Sequence, residues 1–212
     1  MICIRIGIDL KKHLLSLKKE VFRKSIHVCT AFVPVFIHFY RIPTLVCLAL
    51  AGLLYTVSEI LRLKGIVVPV VTSVTVAAAR SRDDNKFVFG PVTLVAGVML
   101  CLLLWKEPFS TVGIFALAFG DGLASLAGKT FGRIEVPLTG GKTAAGSLTC
   151  FAAVFISSFF VLHSCTLSFV LALVATLIEG LPLKDYDNIF IPVVTGGVAQ
   201  IFFERLPFYL HM

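Results

Sequence analysis

Charge is scarce in this chain, and acidic charge scarcer still. Only 15% of the 212 residues are Asp, Glu, Lys or Arg, and 12 acids stand against 19 basic residues; an ordinary soluble domain carries about 25%. The six cysteines (Cys3, Cys29, Cys47, Cys101, Cys150, Cys165) form no CxxC pair and fall mostly inside apolar runs. That excludes a zinc site or a disulfide framework and leaves them as small apolar fillers. HExxH, GxSxG and GxxxxGK[ST] are all missing, which disfavours zinc-protease, esterase and P-loop chemistry. No basic run is interleaved with aromatics, so a net charge of +7 does not point to nucleic acid. The N-terminus also lacks the basic, apolar and small-residue order of a cleavable signal, and none is expected.

Apolar residues are what the chain has in excess: 58% of the sequence, with a mean hydropathy of +0.96. Several runs approach the roughly 20 residues that cross a bilayer as a helix. The expected fold class is therefore all-α, a polytopic integral membrane helix bundle forming one domain over residues 1–212. Most of the positive charge lies beside apolar spans, which suits anionic membrane lipids as partners.

Along the chain, Leu10, Leu14, Leu17 and Val21 recur on one helical face, with Lys11, Lys12, Lys18, Lys19 and Arg23 elsewhere on the wheel. Residues 10–24 thus read as an amphipathic helix lying on the leaflet, within a juxtamembrane segment 1–25. Apolar spans are expected at 26–40, 42–61, 87–105, 109–127, 144–162, 165–181 and 189–206. Residues 66–79 are too short for a comfortable crossing and lead into a charged turn. If 66–79 does not cross and the N-terminus is cytoplasmic, 16 of the 19 Lys and Arg lie inside; if it crosses, 11 do. The positive-inside rule prefers the first arrangement, with seven spans, residues 66–79 interfacial or re-entrant, and every polar motif on the cytoplasmic side. The expected location is a bacterial inner membrane or an endoplasmic reticulum.

The most informative stretch is 119–147. A carboxylate in an apolar helix costs roughly 2.5–3.5 kcal/mol to insert, so Asp121 marks a functional site by default. Gly120, Ala124, Gly128 and Gly132 repeat every four residues, a ridge that close packing alone accounts for. Beside it, Asp121, Ser125 and Lys129 form a polar stripe that packing does not account for. An acid, a hydroxyl, a lysine and bare glycine backbone suit a Mg²⁺–phosphate ligand. Gly140, Gly141, Lys142, Thr143 and Ser147 then open a helix whose N-terminal dipole favours an anion.

Other polar residues carry two readings each. Lys24 and His27 share a face at a span entry, as headgroup contacts or as part of the site. Glu59 is either an end-of-helix partner for Arg62 or a site residue. Arg80 and Arg82 are membrane anchors or phosphate clamps. Asp185 reads as a solvated turn residue, whereas Glu179, Asp187 and Asn188 are better placed for metal or substrate contacts.

These motifs, in this order, resemble the polyprenol kinase family, which includes dolichol, phytol and farnesol kinases and the CTP-dependent diacylglycerol kinase of yeast. The matching residues are Arg23, Lys24 and His27; Glu59; Gly90 and Pro91; Gly120, Asp121, Ala124, Gly128, Phe131 and Gly132; Lys142, Thr143, Gly146 and Ser147; and Glu179, Asp187, Asn188 and Pro192. One departure is Ala145, where the family usually has Glu. The resemblance implies transfer of the γ-phosphate of CTP to the hydroxyl of a membrane lipid alcohol. Asp121, with Glu179 or Asp187, would hold Mg²⁺. Lys142, Arg82 and the glycine loop would hold the triphosphate. Lys24, His27 and Glu59 would lie near the lipid hydroxyl, with Asp121 or His27 as base. The alternatives are a phosphatidate cytidylyltransferase like CDP-diacylglycerol synthase, whose motifs are related, and a small membrane transporter.

Overall fold

The computed structural model describes residues 2–66, 68–69, 71, 73, 75, 86–137 and 139–205, with side chains from residue 14 onward. Most of segment 66–79, and with it whether that segment crosses the membrane, lies outside the described residues. So do Arg80 and Arg82. The described residues bear out the all-helical class.

Helix α1 runs unbroken over Ile2–Cys29, past the expected boundary near residue 25. The break comes instead at a 3₁₀ turn, Thr30–Phe32, before α2, Val33–Phe39. Pro34 is the cause. It has no N–H for the Thr30 carbonyl, which accepts from Val33 one residue early and so tightens the turn. There follow α3, Arg41–Leu63; α4, Gly90–Leu104; α5, Phe109–Phe131; α6, Ala144–Leu162; α7, Cys165–Gly180; and α8, Asp187–Arg205.

Among the described residues, α3, α5 and α6 are long and apolar enough to cross a membrane. Their roles differ. Only 11% of the most apolar window of α3 and 22% of that of α6 is buried, against 67% for α5. The outer helices turn Ile42, Leu53, Leu54 and Phe160 outward, as lipid-facing surfaces do, while α5 is the central post. Ala116, Leu117 and Ala118 at its middle have no exposed surface, and Ala116 and Leu117 share one core cluster with Val154 and Ile191, also fully buried.

Small residues set how closely these helices approach. The ridge expected on α5 packs on α6: a Cβ on Gly120 would meet Val154 at 2.7 Å, and one on Gly128 would meet Thr143 at 2.9 Å. On the other side, Pro192 inside α8 removes the N–H that would pair with the Asn188 carbonyl. The bare Cα of Gly97 comes up against that carbonyl, where an added Cβ would stand 2.0 Å from the oxygen. Gly97→Ala is accordingly expected to cost about 1–3 kcal/mol through overpacking. Thermal unfolding of the detergent-solubilised protein should shift down by several degrees. Gly180→Ala is the control, because nothing lies within 4 Å of a Cβ there.

Candidate functional site

The site begins where α1 meets the second half of α5. Glu20, Lys24 and His27, at i, i+4 and i+7, are buried, while Leu14, Val21 and Phe22 point outward. The face of α1 that carries these three residues therefore packs inward. The expectation of a helix lying on the leaflet needs one addition: the face with Glu20, Lys24 and His27 is one wall of the site, while Lys18, Lys19 and, on the apolar stripe, Leu14 and Val21 stay exposed.

Asp121 is the residue the inward face meets. It closes a π turn, Ala116–Asp121, that interrupts the regular α5 ladder, a feature often found at functional positions. The Lys24 ammonium donates to the Asp121 carboxylate. His27 Nδ1 lies 3.3 Å from Asp121 Oδ2, close enough for an ion pair but not aligned as a hydrogen bond. One turn away, Glu20 accepts from Arg23 and pairs with Lys129 on α5 at 2.6 Å. Burial pushes the Glu20 carboxyl up, but Arg23, Lys129 and Lys24 outweigh it and hold the group below its ordinary 4.5. Glu20 is thus ionised at neutral pH, and cations and anions alternate along the α1–α5 seam.

The second wall is a hairpin-like loop between α5 and α6. An isolated antiparallel bridge joins Glu135 and Thr143, with Val136 donating to Lys142 O at 2.8 Å and Ala144 to Ile134 O at 2.9 Å. The turn needs left-handed backbone at Gly140 (φ 73°) and Gly141 (φ 95°), which glycine adopts without a Cβ penalty. Thr143 caps α6, its hydroxyl accepting from Gly146 N at 3.3 Å. Lys142 reaches α7, where its ammonium donates to the Glu179 carbonyl and stands 3.1 Å from Glu179 Oε1. The other carboxylate oxygen, Oε2, is buried without a hydrogen-bond partner.

The start of α8 closes the site. Asn188 donates through Nδ2 to Thr93 Oγ1 at 2.9 Å and to Gly90 O at 3.2 Å, and its N–H binds Asp187 Oδ1 at 2.9 Å. The motif opening α8 is thereby tied to the Gly-Pro opening α4.

Two cavities meet among these residues. A cleft of about 1020 Å³ lies between α1, the second half of α5, the glycine loop and the end of α7, with Ser125, Lys129, Gly140, Gly141, Lys142, Thr143 and Glu179 in its lining. A cavity of about 40 Å³ adjoins it, with Lys24, His27 and Asn188 against the apolar Ile26, Val88, Pro91 and Leu94. Arg23, Asp121 and Asp187 line both.

The structure thus brings together Lys24, His27, Asp121, Lys129, Gly140, Gly141, Lys142, Thr143, Glu179, Asp187 and Asn188. It does not bring in Glu59 or Ser147. The Glu59 carboxylate is taken up by Arg62, at 2.7 and 2.8 Å, and by the N–H of Val88 at 2.9 Å, so it clamps the entry to α4. The N–H of Ser147 serves the first turn of α6, donating to Thr143 O at 3.0 Å. Glu20 is in the site although no motif included it, and so is Arg23, which matched the motif without an assigned role. Their signal is the polar period Glu20, Arg23, Lys24, His27 running beside the apolar stripe of α1.

The chain is similar to plant phytol kinases. It is 30% identical over 149 residues to a probable phytol kinase 1, chloroplastic, of Glycine max, covering 61% of this chain and 49% of that protein. To phytol kinase 1, chloroplastic, of Arabidopsis thaliana it is 29% identical over 147 residues, 60% of this chain and 48% of that one. A probable phytol kinase, chloroplastic, of Zea mays is 27% identical over 146 residues, with 60% and 48% covered. The chain spans about half the length of the curated relatives it matches. No family model matches it, and neither does any solved structure. The resemblance to polyprenol and phytol kinases read from the motifs is borne out by these relatives.

Proposed function

We propose that this chain is a lipid-alcohol kinase that moves the γ-phosphate of a nucleoside triphosphate, CTP by the family resemblance, to the hydroxyl of a polyprenol-, phytol- or diacylglycerol-type lipid. One observation carries the reading. A large cleft lined by many charged side chains and a small cavity with mostly apolar walls meet at two buried acids, Asp121 and Asp187. Phosphoryl transfer between a water-soluble donor and a lipid acceptor needs that juxtaposition. Seven crossings, with the cleft on the cytoplasmic side, are part of the same proposal.

In the cleft, Lys142, Lys129 and Arg23 offer charge to the phosphates, and the Gly140–Gly141 backbone offers N–H donors beside the positive end of the α6 dipole. Their contribution is to position the donor and neutralise its charge, which is most of what phosphoryl transfer asks of a protein. Among the described residues no three His, Cys, Asp or Glu side chains are grouped to hold a metal by themselves. Mg²⁺ does not need such a cage, because one or two carboxylates and the phosphates hold it. The orphaned, buried Oε2 of Glu179 in the cleft wall fits that requirement. Asp121, with Glu179 or Asp187, would hold Mg²⁺, which supplies neutralisation of phosphate charge. Glu179 would also take the part of the Glu that Ala145 replaces. In the smaller cavity the lipid hydroxyl would approach Lys24 and His27, its chain leaving along Ile26, Pro91 and Leu94, and its proton would pass to the His27–Asp121 pair.

The test is incubation of the purified protein with CTP labelled at the α or the γ position, Mg²⁺ and phytol, polyprenol, diacylglycerol or phosphatidate. Label should enter lipid from the γ position only. Incorporation from the α position would make the protein a cytidylyltransferase, and none from either would end the kinase reading.

A further inference from the structure

One ionised group in the cleft runs against the chemistry proposed for it. Glu20 carries negative charge where a triphosphate would lie, is only 4% exposed, and lines the same cleft as the two cations it binds, Arg23 and Lys129. Arg23 reaches into both cavities, and its Nε is buried without a hydrogen-bond partner, so its guanidinium has donor capacity that Glu20 does not satisfy. The Lys129 side chain is 43% exposed and so open to a new partner from solvent, whereas that of Glu20, at 4%, is held by burial. A carboxylate and a phosphate oxygen ask for the same donors from the same two side chains.

We propose that Glu20 is an internal competitor of the nucleotide: it holds Arg23 and Lys129 in the cleft, and an incoming triphosphate must take Lys129 from it. Glu20 is then a positioning residue that acts through these two cations. Because the Glu20–Lys129 pair also ties α1 to α5, the exchange passes that tie from the protein to the ligand. Binding is weaker than the cations alone would give, and re-formation of the pair helps the nucleoside diphosphate leave. The proposal rests on the reading of the cleft as a nucleotide site.

Binding of Mg²⁺–tripolyphosphate and of Mg²⁺–CTP to the full chain in detergent micelles, measured by calorimetry, tests it. Glu20→Gln should bind both about fivefold more tightly, the worth of one partly exposed ion pair. Glu20→Asp, which keeps the charge, should stay near the unaltered protein. Lys129→Gln should bind more weakly, and adding Glu20→Gln to it should recover less than Glu20→Gln gains alone. A Glu20→Gln variant that binds as before or more weakly overturns the proposal. If that variant does not fold, unchanged binding by Lys129→Gln overturns it equally. Failure of the unaltered protein to bind either probe removes the nucleotide-site reading as well, whereas binding without a Glu20 effect removes this inference alone.

Discussion

Asp121→Asn is expected to lower phosphoryl transfer by about 10³-fold or more, the largest effect of any single substitution here. The change is nearly isosteric, so it removes charge and leaves shape. The amide cannot serve as an anionic ligand for a cation at the phosphates, and it cannot share a proton with His27. It also strips the Lys24 ammonium, 2% exposed, of the carboxylate it binds. Breaking a buried ion pair from one side costs about 3–5 kcal/mol, so lost activity alone could reflect lost structure. The double variant Lys24→Met/Asp121→Asn separates the two. Replacing both partners by neutral groups should restore thermal stability towards that of the unaltered protein while transfer stays absent. Full activity in Asp121→Asn sinks the assignment of this carboxylate to the chemistry. Recovered activity in the double variant would reduce Asp121 to a counter-ion for Lys24.

What the sequence makes legible follows from which interactions are local. The ridge on α5 is read correctly because a spacing of four lies on one helical face, and its partners Thr143, Gly146, Cys150 and Val154 lie along one face of α6. The left-handed glycine turn and the Thr143 cap are local too. The seam between α1 and α5 is not. Lys24 and Asp121 are 97 positions apart, and no wheel drawn for α1 says which of its faces meets protein. In water the apolar face would turn inward; beside lipid it turns outward, and the face with Glu20, Lys24 and His27 finds partners in the bundle. Glu59 divides along the same line. Its pairing with Arg62 is an i, i+3 contact anyone can draw, but its bond to the Val88 N–H, 29 positions away, is what makes it a clamp outside the cleft. The π turn before Asp121 has no period to announce it.

Lys142→Met should lower kcat/KM by about 10²–10³-fold, the cost typical of removing one donor aimed at developing charge. The division between the two constants carries the argument. If Lys142 contacts phosphate oxygens whose charge changes during transfer, the loss falls mainly on kcat; if it serves only to hold the nucleotide, KM rises and kcat is kept. The geometry favours the first outcome, because the ammonium is anchored by the carbonyl and carboxylate of Glu179 and so is pre-positioned rather than recruited. That anchoring also needs a control, since methionine leaves the largely buried Glu179 carboxylate without its cation. Lys142→Met/Glu179→Gln removes both charges and should regain stability without regaining rate. Lys142→Arg keeps the charge but cannot place a planar fork where a point charge sits, and partial activity is expected of it. Unchanged kcat/KM in Lys142→Met would take the glycine loop out of the phosphate site, and with it the strongest reason for reading the larger cleft as the donor side.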